Sequence, residues 1–312
     1  MKAAVPITKT SSVGIKAKRR GLSDDALKRL LLAPAVLIII GLVIYPFLWA
    51  VFLSFNEYSI LKAAAPVWIG VENYRDILAD PEIWNRFAFT GRFVISAVLI
   101  ELVLGFGIAY FIHSRFRGKG LFVTLLLMPM MLSPVIVGLF WKYILSNNWG
   151  VLNYILSSLF GIDEILWLST NTYGFWSIVI VDVWMWTPFM MLLILAGLSS
   201  VPEYLYESAE VDRASSWFKF TRITLPLSAP LILLAVVFRI IDAFKTVDIV
   251  WVLTAGGPGS STETIAYALY KQAFAFFQTG RASALAVILL VTVIGLSIIL
   301  VRVLNRAKEA TQ

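Results

Sequence analysis

The chain of 312 residues contains no cysteine and a single histidine, His113. Without cysteine it has no disulfides and no thiolate ligands for a metal ion. One histidine at the end of an apolar stretch is too little for a histidine-based metal site. We therefore expect this chain to bind no metal ion.

Charged residues and motifs for chemistry are also scarce. Charged side chains make up only 14% of the chain, whereas a soluble domain carries about a quarter. No segment matches Gly-x-x-x-x-Gly-Lys-Ser/Thr, the loop that cradles nucleotide phosphates, and no Ser/His/Asp set for nucleophilic catalysis occurs. We expect no ATP hydrolysis, no other enzyme activity and no cofactor bound by this chain itself.

Long apolar runs dominate what is present. Hydrophobic residues make up 59% of the chain, and residues 30–55 and 282–301 carry no charged side chain. About 20 apolar residues suffice to span a bilayer, so the sequence predicts an all-α integral membrane protein. Six transmembrane helices are predicted, at residues 30–55, 88–112, 121–144, 173–198, 226–254 and 281–303.

Lysine and arginine follow this topology, so the formal net charge of +7 does not indicate nucleic acid as a partner. Of the 26 basic residues, 17 fall on one predicted side, in residues 1–29, 115–119, 200–224 and 302–308. The loop 145–172 on the other side has none. Cytoplasmic segments carry such an excess. We expect two cytoplasmic tails, residues 1–29 and 304–312, around a transmembrane domain of residues 30–303.

Residues 200–224 form a polar insert between two apolar spans. Ser200 and Glu203 have the spacing of a capping box, with Pro202 in the first turn. A second short helix is predicted to begin near Ser215. Two short helices along the membrane face would present carboxylates to arginine or lysine on a partner. An interfacial helix lying on membrane lipid and a solvated loop are the two alternatives.

The residues of this insert carry a family resemblance. They resemble the EAA motif of ABC importer permeases, in which Glu-Ala-Ala-x-x-Asp-Gly-Ala precedes Ile-x-Leu-Pro. The matching residues are Glu207, Ser208, Ala209, Asp212, Ala214, Ile223, Leu225 and Pro226. Arg213 replaces the glycine that turns the chain in the family. Either Arg213 adopts a positive φ, which costs on the order of 1 kcal/mol, or the first helix continues and pairs Arg213 with Glu210.

Two further segments extend the resemblance to most of the chain. Residues 68–87, WIGVENYRDILADPEIWNRF, resemble a conserved outer block of the family. Residues 238–259, FRIIDAFKTVDIVWVLTAGGPG, resemble the fifth-span block of carbohydrate-uptake permeases. The resemblance therefore implies the transmembrane domain of a type I ABC importer, located in a bacterial inner membrane and moving a carbohydrate or related polyol by alternating access.

The resemblance also implies partners. In this family the first helix of the insert is the coupling helix that contacts a cytoplasmic ATPase subunit, which places Glu207 at that contact. We expect a second, different permease subunit, two cytoplasmic ABC ATPase subunits that carry ATP and Mg²⁺, and an extracytoplasmic solute-binding protein. The binding protein would dock on outer loops that include residues 56–87 and 145–172.

The fifth predicted span contains four charged residues at steps of three. Ionisable residues at membrane depth are costly unless they are paired or face a cavity, and neighbours of opposite sign three apart can pair on a helix. One interpretation is structural pairing between two permeases, and the other is a substrate path. The path candidates are these four residues, Arg239, Asp242, Lys245 and Asp248, together with Asp182, Trp184 and Trp186 of the fourth predicted span. Glu101 is expected to face the bundle interior.

The solute is left open by the sequence: a monosaccharide, disaccharide, oligosaccharide, polyol, sugar acid, sulfosugar or glycerol phosphate would each fit. A transporter of a small polar solute driven by an ion gradient is the alternative function. It predicts internal inverted repeats and discontinuous spans, and it leaves the insert without a role.

Overall fold

A computed structural model of the protein describes residues 24–62, 65–114 and 117–309. Most of the predicted N-terminal tail, Arg115 of the predicted basic turn and residues 310–312 lie outside the described residues. The chain divides into two compact units, Met1–Trp49 and Ala50–Gln312.

The first unit contains the beginning of one long apolar helix. Helix α1 (Asp24–Ile39) continues through a π-helical turn (Ile40–Ile44) into α2 (Tyr45–Ser54). The apolar stretch Lys28–Ser54 is long enough to cross a membrane, which agrees with the span predicted at residues 30–55.

A two-stranded sheet and a short helix follow α2. Strand β1 (Asn56–Glu57) pairs antiparallel with β2 (Val67–Trp68), and a 3-10 turn (Ile60–Lys62) lies between them. Helix α3 (Glu72–Ala79) follows, with Ile77 fully buried. The Asn73 amide joins the two parts, because its Nδ2 donates to the carbonyl oxygens of Ser54 and Asn56.

Two long helices form the centre of the second unit. Helix α4 (Pro81–His113) starts after Asp80, whose carboxylate accepts from the Glu82 amide, and has proline at its first position. Helix α8 (Asn171–Ser199) is capped in the same way by Thr170. The pair packs in parallel, because Phe89 contacts Phe175 near one end and Gly105 lies against Met190 further along.

The third span is broken, which corrects the prediction of one helix over residues 121–144. Helix α5 (Lys119–Met131) and helix α6 (Pro134–Ile144) meet at 94°. Ser133 is extended because the residue before a proline avoids the helical region, and Pro134 has no amide hydrogen to continue the helix. Helix α7 (Val151–Phe160) follows and ends at Gly161, which has a φ of 63°.

The fifth span also differs from its predicted range. Helix α10 (Ser216–Lys219), a π-helical turn (Phe220–Thr224) and α11 (Leu225–Ala243) form one apolar stretch. The prediction of a helix to residue 254 is wrong. The chain tightens after Ala243, and the Thr246 carbonyl accepts from the Thr264 hydroxyl instead of continuing the helix. Helix α12 (Asp248–Leu253) is separate.

The C-terminal part contains α13 (Ile265–Tyr270), a π-helical turn (Lys271–Ala275) and α14 (Thr279–Glu309). Five helices of the described residues are long and apolar enough to cross a membrane, and the bent α5–α6 pair makes up to six. The core of the second unit is built mainly from α4, α8, α11 and the start of α14. The mostly helical membrane fold predicted from the sequence is confirmed.

Candidate functional site

The most deeply buried cation in the described residues is the Arg239 guanidinium on α11, which is 1% exposed. Its Nε and Nη2 donate to the two carboxylate oxygens of Glu101 on α4, both at 2.7 Å. Nη2 also donates to Asp182 Oδ2 on α8 at 2.6 Å, and Nη1 donates to Asp242 Oδ2 at 3.0 Å. One cation therefore holds three carboxylates from three helices.

This cluster is buried almost throughout. Glu101 and Asp182 are 0% exposed, whereas the Asp242 side chain is 47% exposed. The Trp186 ring lies 5.1 Å from the Arg239 guanidinium carbon, within cation–π range. Removing one partner of such a pair strands a buried charge and costs about 3–5 kcal/mol. The cluster therefore ties α4, α8 and α11 together within this one chain.

Sequence reasoning expected Glu101 to face the interior, and the structure places it there. It did not foresee the contact with Arg239. A signal was present, because a lone carboxylate inside a span is costly unless it is paired or faces a cavity. What the sequence could not supply is which of the intramembrane cations lies at the same depth.

Four of the predicted path residues line one small pocket. Trp186, Asp242, Lys245 and Asp248 surround a space of about 180 Å³ at the break between α11 and α12, next to Pro134 of α6. The predicted ladder of i,i+3 contacts is wrong beyond Arg239–Asp242, because the helix ends at Ala243. The pocket combines an exposed carboxylate, an ammonium group and an indole ring.

Trp184 lies apart from this group. Its ring contacts Trp141 of α6 edge-on at 5.8 Å, in a larger apolar cavity. Asp182 and Arg239 are covered by their neighbours in this conformation. Of the seven predicted path residues, the structure therefore brings four to the pocket, two to the ion cluster and one elsewhere.

The polar insert forms one short helix, α9 (Glu203–Val211). The predicted capping box is wrong: Ser200 ends α8 and donates its hydroxyl to the Gly197 carbonyl, and no side chain caps α9. Ser215 does cap a helix, accepting from the Phe218 amide, but that helix runs on into α11 rather than standing alone.

Arg213 adopts the left-handed conformation, with a φ of 54°. The Ala214 amide donates to the Ala209 carbonyl at 2.8 Å, the six-to-one bond of a Schellman turn. Glu210 pairs with Lys219 at 2.9 Å, not with Arg213. Arginine thus occupies the turn position that glycine holds in the family, and the helix ends as the family pattern requires.

Five of the eight coupling candidates are exposed on the surface of the chain. Glu207, Ser208, Asp212, Arg213 and Leu225 are exposed, Ala214 and Pro226 are half-buried, and Ala209 is buried. Tyr206, which the sequence did not single out, shares a hydrogen bond of 2.8 Å with Thr224 in the π-helical turn. This bond joins α9 to the base of the fifth span.

Comparison with known proteins gives the family. Residues 101–309 match the binding-protein-dependent transport system inner membrane component. The chain belongs to this family. It is a multi-pass inner membrane permease component of an ABC transporter and is not itself the catalytic subunit. Membership favours the ABC importer over the ion-coupled transporter that the sequence left as an alternative.

Several relatives match over most of their length. The chain is 36% identical to the probable ABC transporter permease protein y4oQ of Sinorhizobium fredii, over 85% of each chain. It is 34% identical to the trehalose/maltose transport system permease protein MalF of Thermococcus litoralis, over 88% of this chain and 92% of the relative. It is 35% identical to the sulfoquinovosyl glycerol transport system permease protein SmoG of Agrobacterium fabrum, over 86% and 87%.

Solved structures agree in fold. A bacterial ABC transporter involved in the import of the acidic polysaccharide alginate superposes with a TM-score of 0.78 at 22% identity, over 90% of this chain and 96% of that chain. The alginate transporter in complex with its pentasaccharide-bound periplasmic protein gives 0.76 at 20% identity, over 88% and 93%. The permease fold predicted from the resemblance is confirmed.

Proposed function

We propose that this permease moves a carbohydrate or related polyol through an ATP-driven importer by alternating access. The observation that carries the proposal is the similarity, over most of their length, to permeases named for trehalose, maltose and sulfoquinovosyl glycerol. The pocket at the α11–α12 break adds chemical support, because carboxylates, an ammonium group and an indole are the groups that bind sugars.

In this proposal each pocket residue has a different role in binding the solute. Asp242 and Asp248 accept hydrogen bonds from solute hydroxyls, Lys245 donates one, and the Trp186 face packs against the apolar face of a sugar ring. Arg239 orients Asp242 by donating the 3.0 Å hydrogen bond from Nη1 to Oδ2. The Arg239 side chain itself is covered, so it acts on the pocket through Asp242 and Trp186.

The assembly that we propose contains four kinds of partner. A second, different permease completes the pathway, two ABC ATPase subunits carry ATP and Mg²⁺, and a solute-binding protein delivers the solute. Helix α9 supplies the ATPase contact, supported by its exposed Glu207 and by the Schellman turn at Arg213. Both termini and α9 then lie on the cytoplasmic side, and residues 30–303 form the permease domain.

Transport by the purified assembly tests the proposal. The complex would be reconstituted into proteoliposomes with its binding protein outside and ATP inside, and labelled disaccharides, polyols and sugar acids would be offered one at a time. We expect saturable uptake of at least one, abolished when ATP is replaced by ADP. Uptake that persists without ATP would contradict the importer. ATP-dependent uptake of none of these solutes by an otherwise active complex would contradict the carbohydrate assignment.

A further inference from the structure

The charges of the buried ion cluster do not balance. Arg239 contributes one positive charge, and its three carboxylate partners contribute up to three negative charges. Asp242 is 47% exposed and lines the same pocket as Lys245, so its charge is solvated. Glu101 and Asp182 are fully buried, and Arg239 is the only cation that pairs with either of them in the described part of the chain. If both carboxyl groups were ionised, this buried centre would carry one uncompensated negative charge.

The helices packed around this centre supply no second cation. Along their apolar lengths, α4 carries no charged side chain except Glu101, and α8 carries none except Asp182. Helix α11 carries Arg239 and Asp242, whereas α13 and residues 282–301 of α14 carry no charge. The other helices that pack on α8 have charged residues only at or near their ends, namely Lys119 on α5, Lys142 on α6 and Asp248 on α12.

An uncompensated charge at this position would be costly. A carboxylate that is buried without a partner pays a large desolvation cost, and such a group takes up a proton and becomes neutral instead. Two carboxyl groups that share one site likewise do not both ionise, because their charges repel each other. Water cannot reduce this repulsion here, since Glu101 and Asp182 are both 0% exposed. The surroundings therefore favour one proton for the two carboxyl groups.

The arrangement of the two carboxyl groups agrees with a shared proton. Glu101 Oε1 and Asp182 Oδ2 accept from the same nitrogen, Nη2 of Arg239, at 2.7 Å and 2.6 Å, so the two oxygens are neighbours. The two carboxyl groups are also within hydrogen-bonding range of each other. Because an ionised carboxylate can only accept, a hydrogen bond between two carboxyl groups requires a proton on one of them.

The second oxygen of Asp182 indicates which group is neutral. Asp182 Oδ1 is buried and accepts no hydrogen bond from the described residues, whereas both oxygens of Glu101 accept from Arg239. A buried oxygen without a donor costs more on an ionised carboxylate than on a neutral acid, because only the ionised group carries charge on both oxygens. The hydrogen bonds therefore favour an ionised Glu101 and a neutral Asp182.

We propose that the ion cluster is a proton-binding site, in which Glu101 and Asp182 share one proton. The proton resides mainly on Asp182 Oδ2 and is donated to Glu101 Oε1. The buried centre then consists of one guanidinium, one carboxylate and one neutral acid, and its net charge is zero. The proton is bound as long as α4, α8 and α11 stay packed, so it stabilises the fold and is not moved together with the solute.

Infrared difference spectroscopy of the full chain with its co-purified subunits tests for this proton. Protonated carboxyl groups have a C=O stretching band that ionised carboxylates lack. Spectra would be recorded at about pH 8, where exposed acids are ionised, and variant spectra would be subtracted from the wild-type spectrum. We expect the band to be lost in both Asp182→Asn and Glu101→Gln, because the remaining carboxyl group then ionises beside Arg239. Asp25→Asn, which replaces an exposed acid on α1, is the control and should keep the band.

Thermal unfolding of the same complexes gives a second measurement. Each single variant should unfold close to the wild-type temperature, because the amide replaces one carboxyl group and Arg239 keeps one buried carboxylate as its partner. The double variant Glu101→Gln/Asp182→Asn leaves the guanidinium without a buried carboxylate and should unfold at a clearly lower temperature.

Four results would overturn the shared proton. The first is a wild-type spectrum without the band, and the second is a band that either single variant keeps. The third is a change in the unfolding temperature of the single variants. A rise in both would mean that two ionised carboxylates repel each other in the wild type, and a fall as large as that of the double variant would mean that both charges are needed. The fourth is an unfolding temperature that depends on sodium ions, which would indicate a metal cation in place of the proton.

Discussion

At the scale of single residues, Arg239 connects three helices. Its four hydrogen bonds reach Glu101, Asp182 and Asp242, and two of these carboxylates are fully buried. A buried charge without its partner is among the most destabilising changes known. We therefore expect Arg239 to have a structural role within one subunit. In the function proposed above, it acts on the pocket through Asp242 and Trp186.

We expect Arg239→Met to lower the free energy of unfolding by about 3–5 kcal/mol, because it strands buried carboxylates. Thermal unfolding in detergent measures this loss. Lys245→Met is the control: Lys245 forms no ion pair among the described residues and should change stability little. Replacing Glu101, Asp182 and Arg239 together by Gln, Asn and Met should restore much of the loss. Wild-type stability of Arg239→Met with altered solute affinity would contradict this role.

The backbone conformation of Arg213 gives a second prediction about stability. A non-glycine residue at a φ of 54° carries a steric penalty that glycine avoids. We expect Arg213→Gly to stabilise the protein by about 0.5–1 kcal/mol, seen as a higher unfolding midpoint. Arg213→Ala keeps the Cβ and should give no such increase, which separates backbone strain from loss of charge. A lower midpoint for Arg213→Gly would show that the side chain stabilises the turn.

At the scale of elements, two side-chain contacts connect α9 to the first residues of the fifth span. The Tyr206–Thr224 hydrogen bond and the Glu210–Lys219 ion pair connect them across the turn at Arg213. Motion of α9 would therefore reach α11 directly. The sequence left two geometries open at Arg213, a positive φ or a continued first helix. It did not predict that the helix after the turn is continuous with the span.

We expect Glu207→Lys to uncouple ATP hydrolysis from uptake while membrane insertion stays intact. Glu207 is exposed on α9, so reversing its charge alters a partner contact and not the core. Uptake and ATP hydrolysis would be measured on the same reconstituted complex. Glu207→Gln keeps the shape and removes only the charge, and should give an intermediate defect. Normal uptake by Glu207→Lys would refute the docking role.

The apolar pattern of the third span does not predict where the span bends. Residues 121–144 are apolar enough to look like one helix, and Pro129 and Pro134 look alike in the sequence. Pro129 stays inside α5, whereas Ser133 and Pro134 produce the 94° bend. A proline within a helix is tolerated when neighbours satisfy the freed carbonyls, and such neighbours are set by tertiary packing.

At the scale of the whole second unit, Gly105 lies at a close contact between α4 and α8. A Cβ on Gly105 would lie 3.0 Å from Met190 Cβ and from the Met191 amide nitrogen. Small residues let membrane helices approach each other in this way. Glu101 and Asp182 of the ion cluster lie on this same helix pair, so its spacing affects the cluster.

We expect Gly105→Ala to destabilise the protein by about 1–3 kcal/mol through overpacking. Gly107→Ala is the matched control on the same helix, because nothing lies within 4 Å of its added Cβ. Thermal unfolding of both variants makes the comparison. Equal midpoints for the two variants would mean that α4 and α8 can separate without loss.

The sequence by itself determined the class of this protein. Spans are encoded locally by runs of apolar residues, and the EAA spacing is local as well, so the membrane fold and the permease family were accessible without coordinates. Only the tertiary structure decided that Glu101 meets Arg239 and that the fifth span stops at Ala243. The physical reason is that these features depend on contacts between residues that are distant in sequence. No local pattern specifies such contacts.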